Sequence, residues 1–243
     1  MFRLAFANDS ESFERVRGPL AERGVTVEAV SATRGAYPLA DPPFEPERFD
    51  AGYVFPGRTM EGAVLDAFLD VPWLNDREAI LTSRNKAGTL AVLDRAGVPT
   101  PESVLVSNPA ETADLVAAFE RFEPPVVVKP NSTTRGIGVA KAADLDSFLG
   151  ICDYLALVHD YRATGDRSFL VQSYLPEARD YRVMVLDGEV VGAVERRLPG
   201  DARAAGRWKH NVHRGAEAVG VDLDPEVVAL AERAAGWPER SAR

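Results

Sequence analysis

The sequence predicts an α/β protein: an N-terminal domain built on a parallel sheet, followed by lobes of mixed α+β character. Three observations carry that prediction. Short apolar strands alternate with helical segments as far as Asp76, the pattern of βαβ units. A β-branched run, Val126–Val128, ends on a lysine and is followed by a Gly-x-Gly. Further on, two strand-like segments meet at Asp187-Gly188, a dipeptide that favours tight hairpins.

In order along the chain, Phe2–Ala7 reads as a buried strand, and a polar helix from about Ser10 to Arg23 is closed by Gly24. Val25–Val30 alternates as a second strand, and the proline-rich stretch Pro38–Glu47 is a loop. Gly52–Gly57 supplies a third strand and Val71–Asp76 a fourth, with a helix between them. The first strand is not followed by G-x-G-x-x-G, which argues against a dinucleotide-binding Rossmann site. A helix from about Arg84 to Ala96 turns Ala87, Leu90, Ala91 and Leu93 inward and stops at Gly97–Pro101. Asn108-Pro109 reads as cap and first-turn proline of the next helix, whose face is Leu115, Val116, Phe119 and Phe122. From Asp144, Leu145, Phe148, Leu149, Cys152, Leu155 and Ala156 repeat at helical spacing, which makes Cys152 a core thiol and not a nucleophile. Phe169–Leu175 and Tyr181–Arg197 read as strands, and Pro225–Ala235 as a helix.

Composition narrows the function. With 243 residues, 46% hydrophobic and 27% charged, the chain has mass for one to two globular domains. No apolar stretch approaches the ~20 residues that cross a bilayer, and the N-terminus lacks signal-peptide character. The single cysteine fits a reducing compartment, so a cytoplasmic location is expected. A net charge of −9 opposes nucleic-acid binding, and no membrane partner is expected. There are only four lysines (Lys86, Lys129, Lys141, Lys209) among 28 basic residues, a bias typical of a salt-adapted or GC-rich source. Where arginine is the default cation, those lysines are worth following.

Lys129 is the first to follow. It stands at the end of a strand, where a point charge can reach phosphates, and Pro130 is expected to stop the ladder there. The stretch Asn131–Val139 then offers hydroxyls (Thr133, Thr134), consecutive backbone amides, and Gly136-Ile137-Gly138 for close approach to an anion. Taken alone, the pattern serves equally well as an ordinary hairpin loop, and it is not a Walker A motif.

Four segments in order change this balance. Asn75–Ser103 contains Lys86; Val126–Val139 contains Lys129 and the glycines; Phe169–Arg197 contains a D-x-R pair, Asp180 and Arg182, and an arginine-tipped hairpin; Arg207–Ala218 contains N-x-H-R-G. Together they resemble the ATP-grasp superfamily and, within it, the RimK-like carboxylate–amine ligases. The resemblance implies an ATP-grasp fold, with a domain at 1–76, a grasp domain at 77–243, a lid at about 124–172 and a further lobe at 173–243. It implies that ATP is bound by Lys86, Lys129, Thr133, Thr134, Gly136, Ile137 and Gly138, by the hinge Gln172, Ser173, Tyr174 and Leu175, and by Asp180. Arg182 and Arg214 are placed on the substrates, and Arg196 and Asn211 at the reacting phosphate, with Asn211 also a candidate metal ligand. Lys86 is otherwise a solvated helix residue, and Asp180 with Arg182 is otherwise an exposed ion pair. Arg197 leaves the register of Arg196 open. His210 and His213 lack partners for a zinc site.

The implied chemistry joins a carboxylate to an amine through an acyl phosphate. Two anions must meet, so basic side chains and Mg²⁺ are needed to cancel their repulsion, and a closed lid must exclude water. The implied partners are a small carboxylate and an amine, or a peptide or protein tail, and self-association into a homo-oligomer is open. One departure stands out. The family's Mg²⁺ ligands come from a later aspartate and an E-x-N strand, whereas this sequence passes through Leu223–Arg243 without E-x-N. The expectation is therefore a truncated or frame-shifted ligase that keeps the nucleotide half of its site and lacks the metal half. Two other classes remain beside it: a non-catalytic ATP-binding remnant or regulatory module, and another ATP-grasp reaction such as small-molecule phosphorylation.

Overall fold

The computed structural model describes residues 1–7, 11–33, 35–53, 58–134, 136–158 and 166–236. The chain divides into two compact units, Met1–Arg84 and Asn85–Arg243. The first holds β1 (Phe2–Phe6), α1 (Glu11–Ala21), β2 (Val25–Ala29), β3 (Ala51–Tyr53), α2 (Thr59–Leu69), β4 (Trp73–Leu74) and α3 (Arg77–Arg84). Its sheet has the order β2-β1-β3-β4 and every pairing is parallel. β1 buries both of its faces. Leu4 and Phe6 pack with Phe13 of α1 and Val27, and Ala5 packs with Leu65 and Leu69 of α2. Phe6 meets Phe13 and Tyr53 edge-on, at centroid distances of 5.6 and 5.4 Å. At Gly52 a Cβ would stand 2.4 Å from the Trp73 ring, so only glycine lets β3 and β4 pair.

The second unit holds α4 (Lys86–Arg95), β5 (Ser103–Ser107), α5 (Thr112–Phe119), β6 (Val126–Pro130), β7 (Ala140–Ala142), α6 (Leu145–Val158) and β8 (Ser168–Ser173). There follow β9 (Asp180–Leu186), β10 (Glu189–Arg197), α7 (Gly200–Ala204), β11 (Glu217–Gly220) and α8 (Pro225–Ala235). An antiparallel sheet of order β5-β8-β6-β7 is backed by α5 and α6. Its core gathers Val106, Phe119, Val126, Val128, Phe148, Phe169 and Val171 on one face. Cys152 sits in that core, 2% exposed, and burial, seconded by Asp153, pushes its thiol up to about 12. Alternation puts Val127, Lys129 and Gln172 on the opposite face, with Val127 paired to Gln172 and Lys129 to Leu170. A second antiparallel sheet has the order β11-β10-β9, and α8 packs on β9 and β10, where Glu232 accepts a 3.1 Å bond from the Val190 amide. Asp187 (φ 52°) and Gly188 (φ 84°) close the β9–β10 hairpin as expected.

Several expectations are corrected. The helix expected from about Arg84 to Ala96 is α4, which Asn85 starts by accepting the Gly88 amide, and a further helix that was not expected, α3, precedes it. The two compact units meet between Arg84 and Asn85. Ala91 is exposed, not inward. Pro109 is not a first-turn residue, because α5 starts at Thr112 with Glu111 as its N-cap. Pro130 ends the ladder as expected: it is the last residue of β6, opposite Phe169, at a terminal position that asks no amide of it. Residues 54–57 of the expected third strand, Ser10 of the first helix, Arg135 of the glycine loop and 237–243 lie outside the described residues.

Candidate functional site

A cavity of about 930 Å³ opens within the second unit, between the face of the β5–β8 sheet that α5 and α6 leave free and the β9–β10 hairpin. Val127, Lys129 and Gln172 supply one wall, and the chain leaving β8 (Ser173–Leu175) continues it. Asp180, Tyr181, Glu195 and Arg196 line the hairpin side, Gly136 and Val139 the glycine loop, and Arg203 with Arg207–Asn211 the last side.

Lys129 is held in place by a polar chain. Its ammonium donates to Gln172 Oε1 at 2.7 Å, Gln172 Nε2 donates to Ser103 Oγ at 2.6 Å, and that hydroxyl donates to Pro101 O at 2.8 Å. Gln172 is only 7% exposed, so its amide needs both partners. Burial, and then the nearby cation of Lys86, lower the Lys129 pKa to about 8. An approaching anion would relieve that depression.

On the hairpin, Arg196 and Asp180 are register partners joined by two hydrogen bonds, one of them Nε to Oδ1 at 2.9 Å. His210 Nδ1 lies 3.9 Å from the same carboxylate. Glu195 accepts from Arg179 at 3.0 and 3.2 Å and from Arg197 at 2.9 and 2.7 Å, and these two guanidiniums hold its carboxyl at about 2. Of the two neighbouring arginines, Arg196 lines the cavity and Arg197 is paired with Glu195.

The glycine loop explains its own composition. Gly136 (φ 71°) and Gly138 (φ 75°) adopt left-handed backbone, and a Cβ on Gly136 would stand 2.9 Å from Asn211 Nδ2. A Cβ on Gly138 would stand 2.7 Å from Pro130 Cγ. Thr133 Oγ1 donates to Ile137 O at 2.9 Å, so that hydroxyl closes the loop, while Thr134 and Ile137 are exposed. Lys209 donates its ammonium to Val139 O, and its pKa is lowered by burial and then by Arg214.

Of the residues singled out in the sequence, the cavity brings together Lys129, Gly136, Gln172, Ser173, Tyr174, Leu175, Asp180, Arg196 and Asn211. Arg182 and Arg214 are exposed and stand outside its lining, as do Thr133, Thr134, Ile137 and Gly138. Lys86 is also outside. Its ammonium is given to the carbonyls of Pro130 at 3.2 Å, Asn131 at 2.8 Å and Thr133, and its pKa is lowered by burial against the opposing pull of Asp166. Sequence reasoning missed Trp208 and Lys209. The Trp208 ring meets Tyr174 edge-on at 5.8 Å, Lys141 lies over both rings (4.6 Å from Tyr174, 5.6 Å from Trp208), and Lys209 lies 5.4 Å from Trp208. The signal was available, since all four lysines gather at or beside this one cavity.

The lining suits a nucleoside triphosphate, with cations for phosphates, a chain segment leaving a strand edge, and an aromatic pair at Tyr174 and Trp208. It does not suit Mg²⁺ in the same way. Among the described residues no three His, Cys, Asp or Glu side chains converge as a metal site, and Asp180 and Glu195 are taken up by arginines. No described helix is long and apolar enough to cross a membrane.

The family model described as the RimK-like ATP-grasp domain matches residues 83–239. A probable alpha-L-glutamate ligase of Legionella pneumophila is 34% identical over 164 residues, which cover 67% of this chain and 50% of that protein. A ribosomal protein bS6–L-glutamate ligase of Escherichia coli is 32% identical over 164 residues, with coverage of 67% and 50%. The chain thus spans about half the length of the curated relatives it matches. The crystal structure of a RimK domain ATP-grasp protein from Sphaerobacter thermophilus superposes with a TM-score of 0.69 at 23% identity, covering 96% of this chain and 80% of that one.

Proposed function

This chain belongs to the RimK-like ATP-grasp domain family, and from that premise we propose that it binds ATP in the cavity of its second unit and serves ATP-dependent carboxylate–amine ligation. The observation that carries the reading is the convergence of Lys129, Arg196, Lys209 and Asn211 with the chain leaving β8 around one cavity of about 930 Å³. ATP supplies the phosphoryl group that activates a carboxylate as an acyl phosphate for attack by an amine. Lys129, steered by Gln172, meets phosphate charge; Arg196, aimed by Asp180, meets charge that develops on transfer. The Gly136–Gly138 turn brings backbone close to the phosphates, and Ser173–Leu175 flanks the base. The relatives' names point to L-glutamate as one substrate and, for one of them, a ribosomal protein as the other.

The described residues hold the basic half of such a site, and no acidic cluster among them fits Mg²⁺. That observation favours a second reading, a nucleotide-binding module that does not turn over by itself. Calorimetric titration of ATP into the chain, with and without Mg²⁺, followed by assay of ADP release with glutamate and an acidic peptide, decides between them. Binding with glutamate-dependent ADP release supports the ligase, and binding without turnover supports the module. Absence of ATP binding removes both.

A further inference from the structure

We propose, on the premise of the ligation reading, that Arg203 is a specificity-determining residue that pairs with the side-chain carboxylate of an acidic amino acid entering the cavity. The chain carries a net charge of −9, yet six lysine and arginine side chains line the cavity against three carboxylates. Lys129, Arg196 and Lys209 belong to the convergence assigned to ATP. Arg179 donates to Glu195 at 3.0 and 3.2 Å, and Arg207 Nη2 donates to Arg214 O. Arg203 is the sixth, and among the described residues its guanidinium has neither a hydrogen bond nor an ion pair.

The backbone beneath Arg203 is fixed although its head is not. Leu198, Ala202 and Ala216 form a small buried cluster that seats α7. The Arg203 amide donates to Pro199 O at 3.1 Å, and its carbonyl accepts the Gly206 amide at 2.9 Å. The Ala202 carbonyl accepts the Arg207 amide at 3.0 Å, which ties the helix to the chain that follows it. The carboxylate nearest in sequence, Asp201, accepts the Ala202 amide at 2.8 Å and forms no ion pair with Arg203. A fixed base thus presents an exposed guanidinium at the edge of the cavity, and exposure lets water hydrate the charge until a carboxylate replaces it. The planar fork of a guanidinium matches a carboxylate with two parallel hydrogen bonds. An acidic amino acid differs from its amide only by the charge at the end of its side chain. Selecting the acid therefore takes a cation that neither the nucleotide nor the protein's own carboxylates have claimed, and Arg203 is that cation.

The test is calorimetric titration of L-glutamate and of L-glutamine, with and without ATP, into the parent, Arg203→Gln, Arg203→Lys and Arg203→Glu. The parent should bind glutamate about tenfold or more tightly than glutamine, as a charged hydrogen bond to one ligand alone implies. Arg203→Gln should bring the two ligands within about twofold of each other by weakening glutamate and not glutamine. Arg203→Glu should reverse the preference, and Arg203→Lys, a point charge without the fork, should fall between parent and Arg203→Gln. ATP affinity and the unfolding midpoint should stay parental in all three variants, because the side chain is exposed and lies off the phosphates. A parent that binds glutamate no better than glutamine, or not at all in either condition, would overturn the assignment. So would an Arg203→Gln variant that keeps the parental preference, or one that loses ATP affinity, which would put the guanidinium on a phosphate. Should the parent not bind ATP, the proposed function fails, while the glutamate preference and its loss in Arg203→Gln are still read in the titration without ATP.

Discussion

In the first unit β1 is buried from both sides, with Leu4 and Phe6 facing α1 and Ala5 facing α2. In the second, the β5–β8 sheet is buried on one side by α5 and α6, and its other side carries Val127, Lys129 and Gln172 into a cavity. A strand sandwiched between two apolar layers has no position left for a charge. A strand covered on one face offers every second residue to chemistry, at the cost of burying polar groups that must then be satisfied. The Lys129–Gln172–Ser103 chain is how this sheet meets that cost.

The sharpest way to separate the two faces is to break the covered one. Phe148 is fully buried beneath the sheet, and Phe148→Ala should lower stability by ~3–5 kcal/mol in denaturant titration. A loss under ~1 kcal/mol would mean that α6 does not hold the sheet. On the open face, Gly136→Val forces a β-branched residue into left-handed backbone against Asn211. It should cost ~1–3 kcal/mol and weaken ATP binding more than it lowers stability. A variant with parental affinity would show that the loop does not need its close approach.

Protonation sharpens the comparison further. The Lys129 pKa is depressed to about 8, so the charged form is depleted as pH rises through 8, and an anionic ligand binds the charged form. ATP affinity should therefore fall about tenfold between pH 7 and 9, if the bound lysine regains its ordinary pKa. A flat profile would remove Lys129 from the phosphates. The smallest effect is expected at Arg182, which is exposed on β9 and outside the cavity: Arg182→Ala should change stability by less than ~0.5 kcal/mol and leave ATP affinity as it is. A marked loss of affinity would return it to the site.

Legibility in the sequence followed the locality of the cause. The helix Pro225–Ala235 and the Asp187-Gly188 hairpin were readable because a first-turn proline and a left-handed dipeptide act within a few residues. The parallel sheet was readable from its alternation with helices. The start of α5 was misread because Asn108-Pro109 imitates a cap, whereas the chain caps with Glu111. Pro130 was readable as the strand's end, because a proline at that position loses no ladder bond and cannot extend the pairing. At the site, the glycines announced close approach but not the neighbours, Asn211 and Pro130, that enforce it. Lys86 stood in register with a nucleotide lysine, yet its three carbonyl acceptors lie 44 to 47 residues away, beyond what spacing can show. Trp208 and Lys209 lie in the N-x-H-R-G segment, and the scarcity of lysine marked Lys209, yet neither was read as lining the site.

The measurement that bears most directly on the central claim, that the uncovered sheet face presents Lys129 to nucleotide phosphates, is calorimetric titration of ATP and of adenosine into the parent and Lys129→Met. Losing one charged hydrogen bond to phosphate is worth ~1.5–3 kcal/mol. The account predicts ATP affinity weakened by that amount, adenosine affinity unchanged, and a parental unfolding midpoint. Equal ATP affinity in the two proteins, or equal loss for ATP and adenosine, would contradict it.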